Sequence, residues 1–255
     1  MPPAVSETKR QRSSSSPCHG LFLDDLLESI APTPASSRRL YWLLPDVYMK
    51  QPNTTEHRIL AAAKDFIQTR GYNGFSFHDI SQEVGIRTPS VHHHFRTKSD
   101  LGRALLAQER LAMSNSMRVI DAQAGSTWAK LKRYVELWSD AASDGTRIGV
   151  LGMLAAEYNT LPEPMRKELR EFFEENEGWL AALLRQGRVD RILTFDGAPA
   201  VAADGMLAFL HGAMVSARAF HDVERFRATV QWLLNLLSLQ KRDRTRAEGL
   251  EPASR

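Results

Sequence analysis

The chain has 255 residues, 43% hydrophobic and 25% charged, which excludes overall disorder and is long enough to bury one large core or two. A formal charge of +3 and a pI near 9.1 permit a nucleic-acid partner without requiring one. The single cysteine, Cys18, excludes an internal disulfide and a Cys-based metal site and fits a cytoplasmic setting.

The longest candidate apolar stretches, such as Gly149 to Ala156 and Trp232 to Leu237, fall short of the roughly 20 residues of a membrane span, so no membrane partner is expected. "LFLDDLLESI" carries three acids where a secretory signal needs an apolar run. Residues 1–53 are Ser/Pro-rich and polar in "SETKRQRSSSSP" and "APTPASS", and read as a poorly ordered extension. Within it "LFLDDLLESI" suits a short amphipathic helix and "RRLYWLLP" an apolar patch, docked on the domain or on nothing. The abrupt onset of helical periodicity at Thr54 also suits a translation start at Met49.

From Thr54 onward the pattern is helical. "TTEHRILAAAKDFIQTRG" places Ile59, Leu60, Ala63, Phe66 and Ile67 on one face, with Thr54 or Thr55 as N-cap and Gly71 as the stop. "SFHD", 76 to 79, is a capping box that starts a second helix, which turns its Phe77, Ile80 and Val84 inward and ends at Gly85. A third helix runs from Thr88 to about Phe95 with Pro89 in its first turn. "TKSD", 97 to 100, is a second capping box and opens a fourth helix through about Met113.

A short helix, a glycine turn and a second short helix form the helix-turn-helix arrangement, whose second helix enters the DNA major groove. The three consecutive histidines, His92 to His94, lie on that second helix. Successive helical residues point about 100° apart, so three adjacent imidazoles do not converge on a metal, and no nucleophile or orienting carboxylate accompanies them. His94 reads as a hydrogen-bonded core residue beside Val91 and Phe95. Thr88, Pro89, Ser90, His92 and His93 share the outer face, where hydroxyls and imidazoles reach base edges or phosphates, with Arg87 and Lys98 adding cations. The alternative for Lys98 is a solvated surface charge, and Ser76 caps its helix and is compatible with a phosphate contact. From Thr54 to Met113 there are eight Lys/Arg against six Asp/Glu, so specific binding has to come from placement.

The stretch "HRILAAAKDFIQTRGYNGFSFHDISQEVGIRTPSVHHHFRTKSDL", 57 to 101, resembles the DNA-binding region of TetR-type transcriptional regulators. In that family a "T/S-v-x-d-I-a-x-x-x-G-v" helix and turn precede a recognition helix ending in "Y-x-H-F", then "x-[ST]-K-x-x-L". His92 stands where the family usually has tyrosine.

Past Met113, "WAKLKRYVELW" (128 to 138) and "EPMRKELREFFEENEGWLAALLRQG" (163 to 187) are amphipathic helices. Between them "GVLGMLAAEYNTLP" is an apolar helix ended by Pro162. "AVAADGMLAFLHGAMVSARAF" (200 to 220) spaces Gly205, Ala208, Gly212 and Ser216 as a flat stripe. "DVERFRATVQWLLNLLSL" (222 to 239) places Val223, Phe226, Val230, Leu233 and Leu237 on one seam and Trp232, Leu236 and Leu239 on another. One face serves the core and the other a partner, and the resemblance implies that these last two helices build a homodimer interface, assigned to Gly205, Ala208, Gly212, Ser216, Phe226, Val230, Leu233 and Leu237.

The resemblance also implies a small-molecule pocket. Trp128, Tyr134, Trp138, Met153, Tyr158, Trp179, Met206, Phe209 and Met214 are its candidate lining or simply core, and Glu157 and His211 interrupt apolar helices as polar contacts or as surface and helix-end positions. The ligand-binding set is thus Trp138, Met153, Glu157, Trp179, His211 and Met214.

The expected fold is all-α. An N-terminal three-helix helix-turn-helix domain (54–100) is followed by a helical effector-binding and dimerisation domain (101–240) and a disordered tail (241–255). The expected function is that of a sequence-specific, cytoplasmic, non-enzymatic regulator. It would act as a dimeric repressor, released from a palindromic double-stranded DNA operator by a small-molecule effector, with no cofactor and no metal. A ligand-free architectural DNA binder is the alternative. A helical small-molecule enzyme is a more distant one, since no GxSxG, HExxH or phosphate loop is present.

Overall fold

The computed structural model describes residues 54–142 and 147–238. The readings placed on residues 1–53 (Cys18, the short amphipathic helix, the Met49 start), on Leu239 and on the 241–255 tail lie outside them. Among the described residues the secondary structure is helical without a strand, as the periodicity requires. Leu193 and Ser238 form one isolated antiparallel bridge, and the Thr194 N–H donates to the Leu237 carbonyl at 2.9 Å.

Helix α1 (Thr55–Arg70) begins at Thr54, whose hydroxyl accepts from the His57 N–H, and ends at Gly71. A 3₁₀ turn over Tyr72–Gly74 leads to α2 (Phe77–Val84), where the Ser76 and Asp79 capping box is complete in both directions. Gly85 takes the left-handed conformation (φ 70°) that lets the Ile86 N–H reach back to the Ser81 carbonyl at 3.0 Å, a geometry a β-carbon would strain. Helix α3 (Thr88–His94) follows with Pro89 in its first turn. The Arg58 guanidinium donates to the Val84 carbonyl and so ties α1 to the end of α2.

Helix α4 (Lys98–Gln123) opens with the second capping box, Thr97 with Asp100, and runs ten residues beyond the expected end at Met113. "SNS" at 114 to 116 reads as a break, yet the Ser116 hydroxyl bonds back to the Ala112 carbonyl at 3.0 Å, while Met117 and Ile120 are buried and hold the last turns. Replacing Thr97 with Ala removes this cap and is expected to lower unfolding stability by about 1 kcal/mol, measurable by denaturant titration. An unchanged midpoint would show that tertiary packing alone fixes this helix start.

The remaining helices are α5 (Thr127–Ala142), α6 (Val150–Ala156), α7 (Glu163–Val189), α8 (Pro199–Phe220) and α9 (Val223–Leu237). Helix α6 stops at Ala156, short of the expected end at Pro162. Glu157 is its C-cap, and the chain continues as a 3₁₀ turn over Tyr158–Thr160. By length and composition alone, α8 is apolar enough to cross a membrane, with a mean hydropathy of 1.4. Asp204, His211, Ser216 and Arg218 interrupt it, and it turns Met206, Leu207, Leu210, Ala213, Met214 and Ala217 into the core.

Two hydrophobic cores result. One joins α1 to α3 with the first half of α4 (Leu101, Leu105, Leu106), α6 and the start of α7. The other joins the second half of α4 with α5, the rest of α7, α8 and α9. A boundary at residue 100 therefore falls inside α4, which belongs to both cores.

Candidate nucleic-acid interface and helical cleft

Helix α3 is anchored by Val91 and Phe95, both buried. Opposite them Arg87, Pro89, Ser90, His92 and His93 are exposed together, as the pattern predicts. The rings of His92 and Phe77 meet edge-on, with centroids 4.8 Å apart, which fixes one face of that imidazole against α2. The expectation for His94 is corrected: it is exposed, its ring against that of His93 at 5.6 Å. The helix ends at His94, and Phe95 leaves it with extended backbone (φ −131°, ψ 112°), so the phenyl ring fills the core position assigned to the imidazole.

Three other candidates are engaged internally. The Thr88 hydroxyl lies 3.0 Å from that of Ser81. The Ser76 hydroxyl donates to Asp79 Oδ2 at 2.6 Å, and this bond, with that of the Ser76 N–H, holds the Asp79 carboxyl below its ordinary range. A phosphate contact from the Ser76 hydroxyl proton therefore requires opening the capping box. Lys98 does not extend outward. Its ammonium donates to the Phe75 carbonyl and sits 4.1 Å from the Phe75 ring centroid and 4.7 Å from that of Tyr72. Burial pushes its pKa down, against the opposing pull of Glu157 and Asp79.

A cleft of about 280 Å³ opens between α6, α7 and α8. Ile148, Gly152 and Ala155 form one wall, Phe173 and Glu177 of α7 a second, and Asp204, Leu207, Ala208, His211 and Val215 of α8 the third. Of the six expected ligand residues only His211 lines it. Trp138 is buried behind His211, rings edge-on at 4.7 Å; its indole N–H makes no regular hydrogen bond and lies toward the Tyr134 hydroxyl, partly offsetting the rise that burial gives the tyrosine's pKa. Met214 is core. The Met153 sulfur accepts from Arg218 at 3.2 Å, and Trp179 Nε1 donates to Asp121 at 2.8 Å on another surface. Large aromatic and thioether side chains at helical spacing serve here as filling. The wider candidate lining divides likewise. Met206 is core, Tyr134 is buried with its hydroxyl 3.3 Å from Asn176, Trp128 packs against the second core, Phe209 lies on Trp232, and Tyr158 lines a smaller neighbouring cleft.

Glu157 is not a cleft residue either. Its carboxylate accepts from the Tyr72 N–H at 2.5 Å and from the Asn73 N–H and side-chain amide at 3.4 and 3.3 Å. Gly71, with φ 82°, lies so close that a β-carbon there would approach Glu157 Oε1 to 2.7 Å. Arg218 of α8 donates to the Thr69 carbonyl at 2.8 Å, and Arg147 pairs with Asp65 at 2.7 Å. The end of α1 is thereby clamped to α6, to the segment preceding it and to α8.

The candidate partner face also changes. Gly205, Ala208 and Gly212 are exposed as expected, with Ser216 half-buried, and the stripe extends at the same three-and-four spacing to Val201 (68% exposed), Val215 and Ala219. On α9, however, Phe226 (0%) and Val230 (4%) are buried in the protomer core, and Leu233 and Leu237 pack against it. The open side carries Trp232 (56% exposed) and Leu236, with Trp232 stacked on Phe209 at 5.9 Å. Both seams of α9 are apolar, and Phe226 and Val230 lie on the one that also contains the buried Leu234 side of the helix.

Sequence reading missed Arg218, Glu177 and Asp204. Asp204 interrupts an apolar helix just as His211 does, whereas Glu177 is camouflaged within "EFFEENEG".

Residues 59–105 match the family profile described as "Bacterial regulatory proteins, tetR family". The chain is similar to the HTH-type transcriptional repressor NemR of Escherichia coli, 25% identical over 189 residues that cover 73% of this chain and 94% of NemR. It is also similar to a TetR family transcriptional regulator from Agrobacterium tumefaciens of known crystal structure. That match has 35% identity, a TM-score of 0.69, and coverage of 72% of this chain and 97% of the other. The crystal structure of the reduced form of E. coli NemR shares the fold at 22% identity and a TM-score of 0.61, over 72% of this chain and 98% of that one.

Proposed function

The chain belongs to the TetR family of DNA-binding transcriptional regulators, and we propose that it works as a homodimeric repressor that holds a palindromic operator and leaves it when a small molecule fills the cleft between α6, α7 and α8. The observation that carries this reading is the exposed row Arg87, Pro89, Ser90, His92 and His93, held outward by the buried Val91 and Phe95. In the major groove, the Ser90 hydroxyl and the His93 imidazole take base edges, while Arg87 and His92 take phosphate oxygens. Lys98 joins them only by leaving the Phe75 carbonyl. This chemistry takes place with the DNA, in the cytoplasm.

Reading a palindrome needs two copies of α3 about one helical turn, roughly 34 Å, apart. The exposed stripe of α8 with the Trp232 and Leu236 side of α9 is the self-complementary surface assigned to that pairing. An effector in the cleft touches α6, and the C-terminal end of α6 holds Tyr72 and Asn73 through Glu157. A small displacement of α6 thus alters where the helix-turn-helix sits. The effector weakens operator binding by its differential affinity for the two arrangements.

Operator titrations test the assignment. His93→Ala and Ser90→Ala are expected to weaken binding to the preferred sequence by about 1–3 kcal/mol and to relax specificity at single positions, whereas Arg87→Ala weakens all sequences alike and lowers the salt slope by about 1. Unaltered affinity in all three variants would remove α3 as the reading helix.

A further inference from the structure

Building on the effector reading above, we propose that the α6, α7 and α8 cleft takes a cation carried on an apolar or aromatic body, with Glu177 and Asp204 as its counter-charges and Phe173 as its ring contact. The cleft has walls suited to such a body: Ile148, Leu207 and Val215 are apolar, and Ala155 adds a small side chain on the α6 side. Its polar groups are all acceptors. Glu177 and Asp204 make no hydrogen bond or ion pair among the described residues, and none of the lining side chains is a lysine or an arginine. Arg170, in the adjoining smaller cleft, is already held by Glu163 at 3.1 Å and by the Tyr158 hydroxyl.

His211 completes the set. Its Nδ1 lies 2.9 Å from the Leu207 carbonyl, which only accepts, so the ring proton is on Nδ1 and Nε2 is left as an acceptor. Burial lowers the pKa of this histidine, so the ring stays neutral at pH 7. The ring packs over Gly152, where a β-carbon would come within 2.8 Å of Cδ2, and stands 5.5 Å from the Phe173 ring, so it is fixed in this orientation. Two free carboxylates, a bare imidazole nitrogen and an aromatic face attract a protonated or quaternary amine and repel a carboxylate or phosphate.

The test is titration calorimetry of the full chain with three para-substituted phenols: (4-hydroxyphenyl)trimethylammonium, its neutral isostere 4-tert-butylphenol, and the anion 4-hydroxybenzoate. The cation is expected to bind about tenfold more tightly than the isostere, and the anion not measurably. Glu177→Gln and Asp204→Asn, both at solvent-accessible positions, are each expected to cut cation affinity about fivefold and leave the affinity of the isostere unchanged. Equal affinity for cation and isostere, binding of the anion, or a cation preference that survives both substitutions overturns the assignment. Operator affinity measured alongside separates the two readings. A cation that fills the cleft without changing operator affinity supports the ligand class and removes the effector role. A neutral or anionic molecule that fills the cleft and releases operator overturns the ligand class and leaves regulation standing.

Discussion

Replacing Gly212 with Arg is expected to convert the protein to a monomer and to lower its affinity for a palindromic site by about two orders of magnitude or more. A β-carbon at Gly212 meets nothing within 4 Å in the isolated protomer, so the substitution leaves the fold intact. Within a helix it even gains about 1 kcal/mol of propensity over glycine. The cost arises only when a second α8 approaches along Val201, Gly205 and Gly212, where a guanidinium would be trapped between close-packed backbones. Once the two reading heads are separated, each binds a half-site with its own affinity, and the effective concentration that linked them is lost. Sedimentation velocity reads the oligomer and operator titration the affinity. A Gly212→Arg protein that remains dimeric and binds as before would remove α8 from the interface. Trp232→Glu gives an independent check on the α9 side.

Glu157→Ala is expected to uncouple the helix-turn-helix from the cleft. The carboxylate holds the Tyr72 and Asn73 N–H groups across 85 residues of sequence, and a charged acceptor of this kind contributes about 1.5–3 kcal/mol. Its loss leaves two amides unpaired at the end of α1, so their hydrogen exchange accelerates by about one to two orders of magnitude, while exchange in the buried Ile59 to Ile67 stretch of α1 is unchanged. The same substitution shrinks the ratio of operator affinities between effector-free and effector-bound protein toward one. Gly71→Ala reaches this outcome from the opposite side, since its β-carbon would press on the carboxylate from a backbone conformation that L-residues avoid. If exchange at Tyr72 and Asn73 stays slow in Glu157→Ala, the clamp resides in Arg218 and Arg147 instead.

How much of this was legible in the sequence follows from how local each feature is. The Ser76 with Asp79 and Thr97 with Asp100 boxes and the left-handed Gly85 are specified within four residues, and each formed as read. The length of α4 was not legible, because Ser114 to Ser116 look like a break until Met117 and Ile120 find the second core. His94 was misplaced because one residue of extended backbone hands the core position to Phe95. The two seams of α9 are both apolar, so hydrophobicity could not tell the core side, with Phe226 and Val230, from the open side, with Trp232 and Leu236. Glu157 interrupts an apolar segment and so looked like a ligand contact. Its true partners, Tyr72 and Asn73, are supplied by a turn whose position only the fold decides. Phe173, Glu177 and Asp204 meet at the cleft only because α7 and α8 pack side by side.

In the proposed regulator, two copies of α3 fixed by one dimer read two half-sites. Selection of bound sequences from random double-stranded DNA at about physiological salt, using the full-length protein, tests it most directly. The expected result is a palindromic consensus with half-sites about one helical turn apart, lost on Gly212→Arg and relaxed at single positions by His93→Ala. Enrichment of a single unrepeated half-site, or no enrichment above counterion-driven binding, would contradict it.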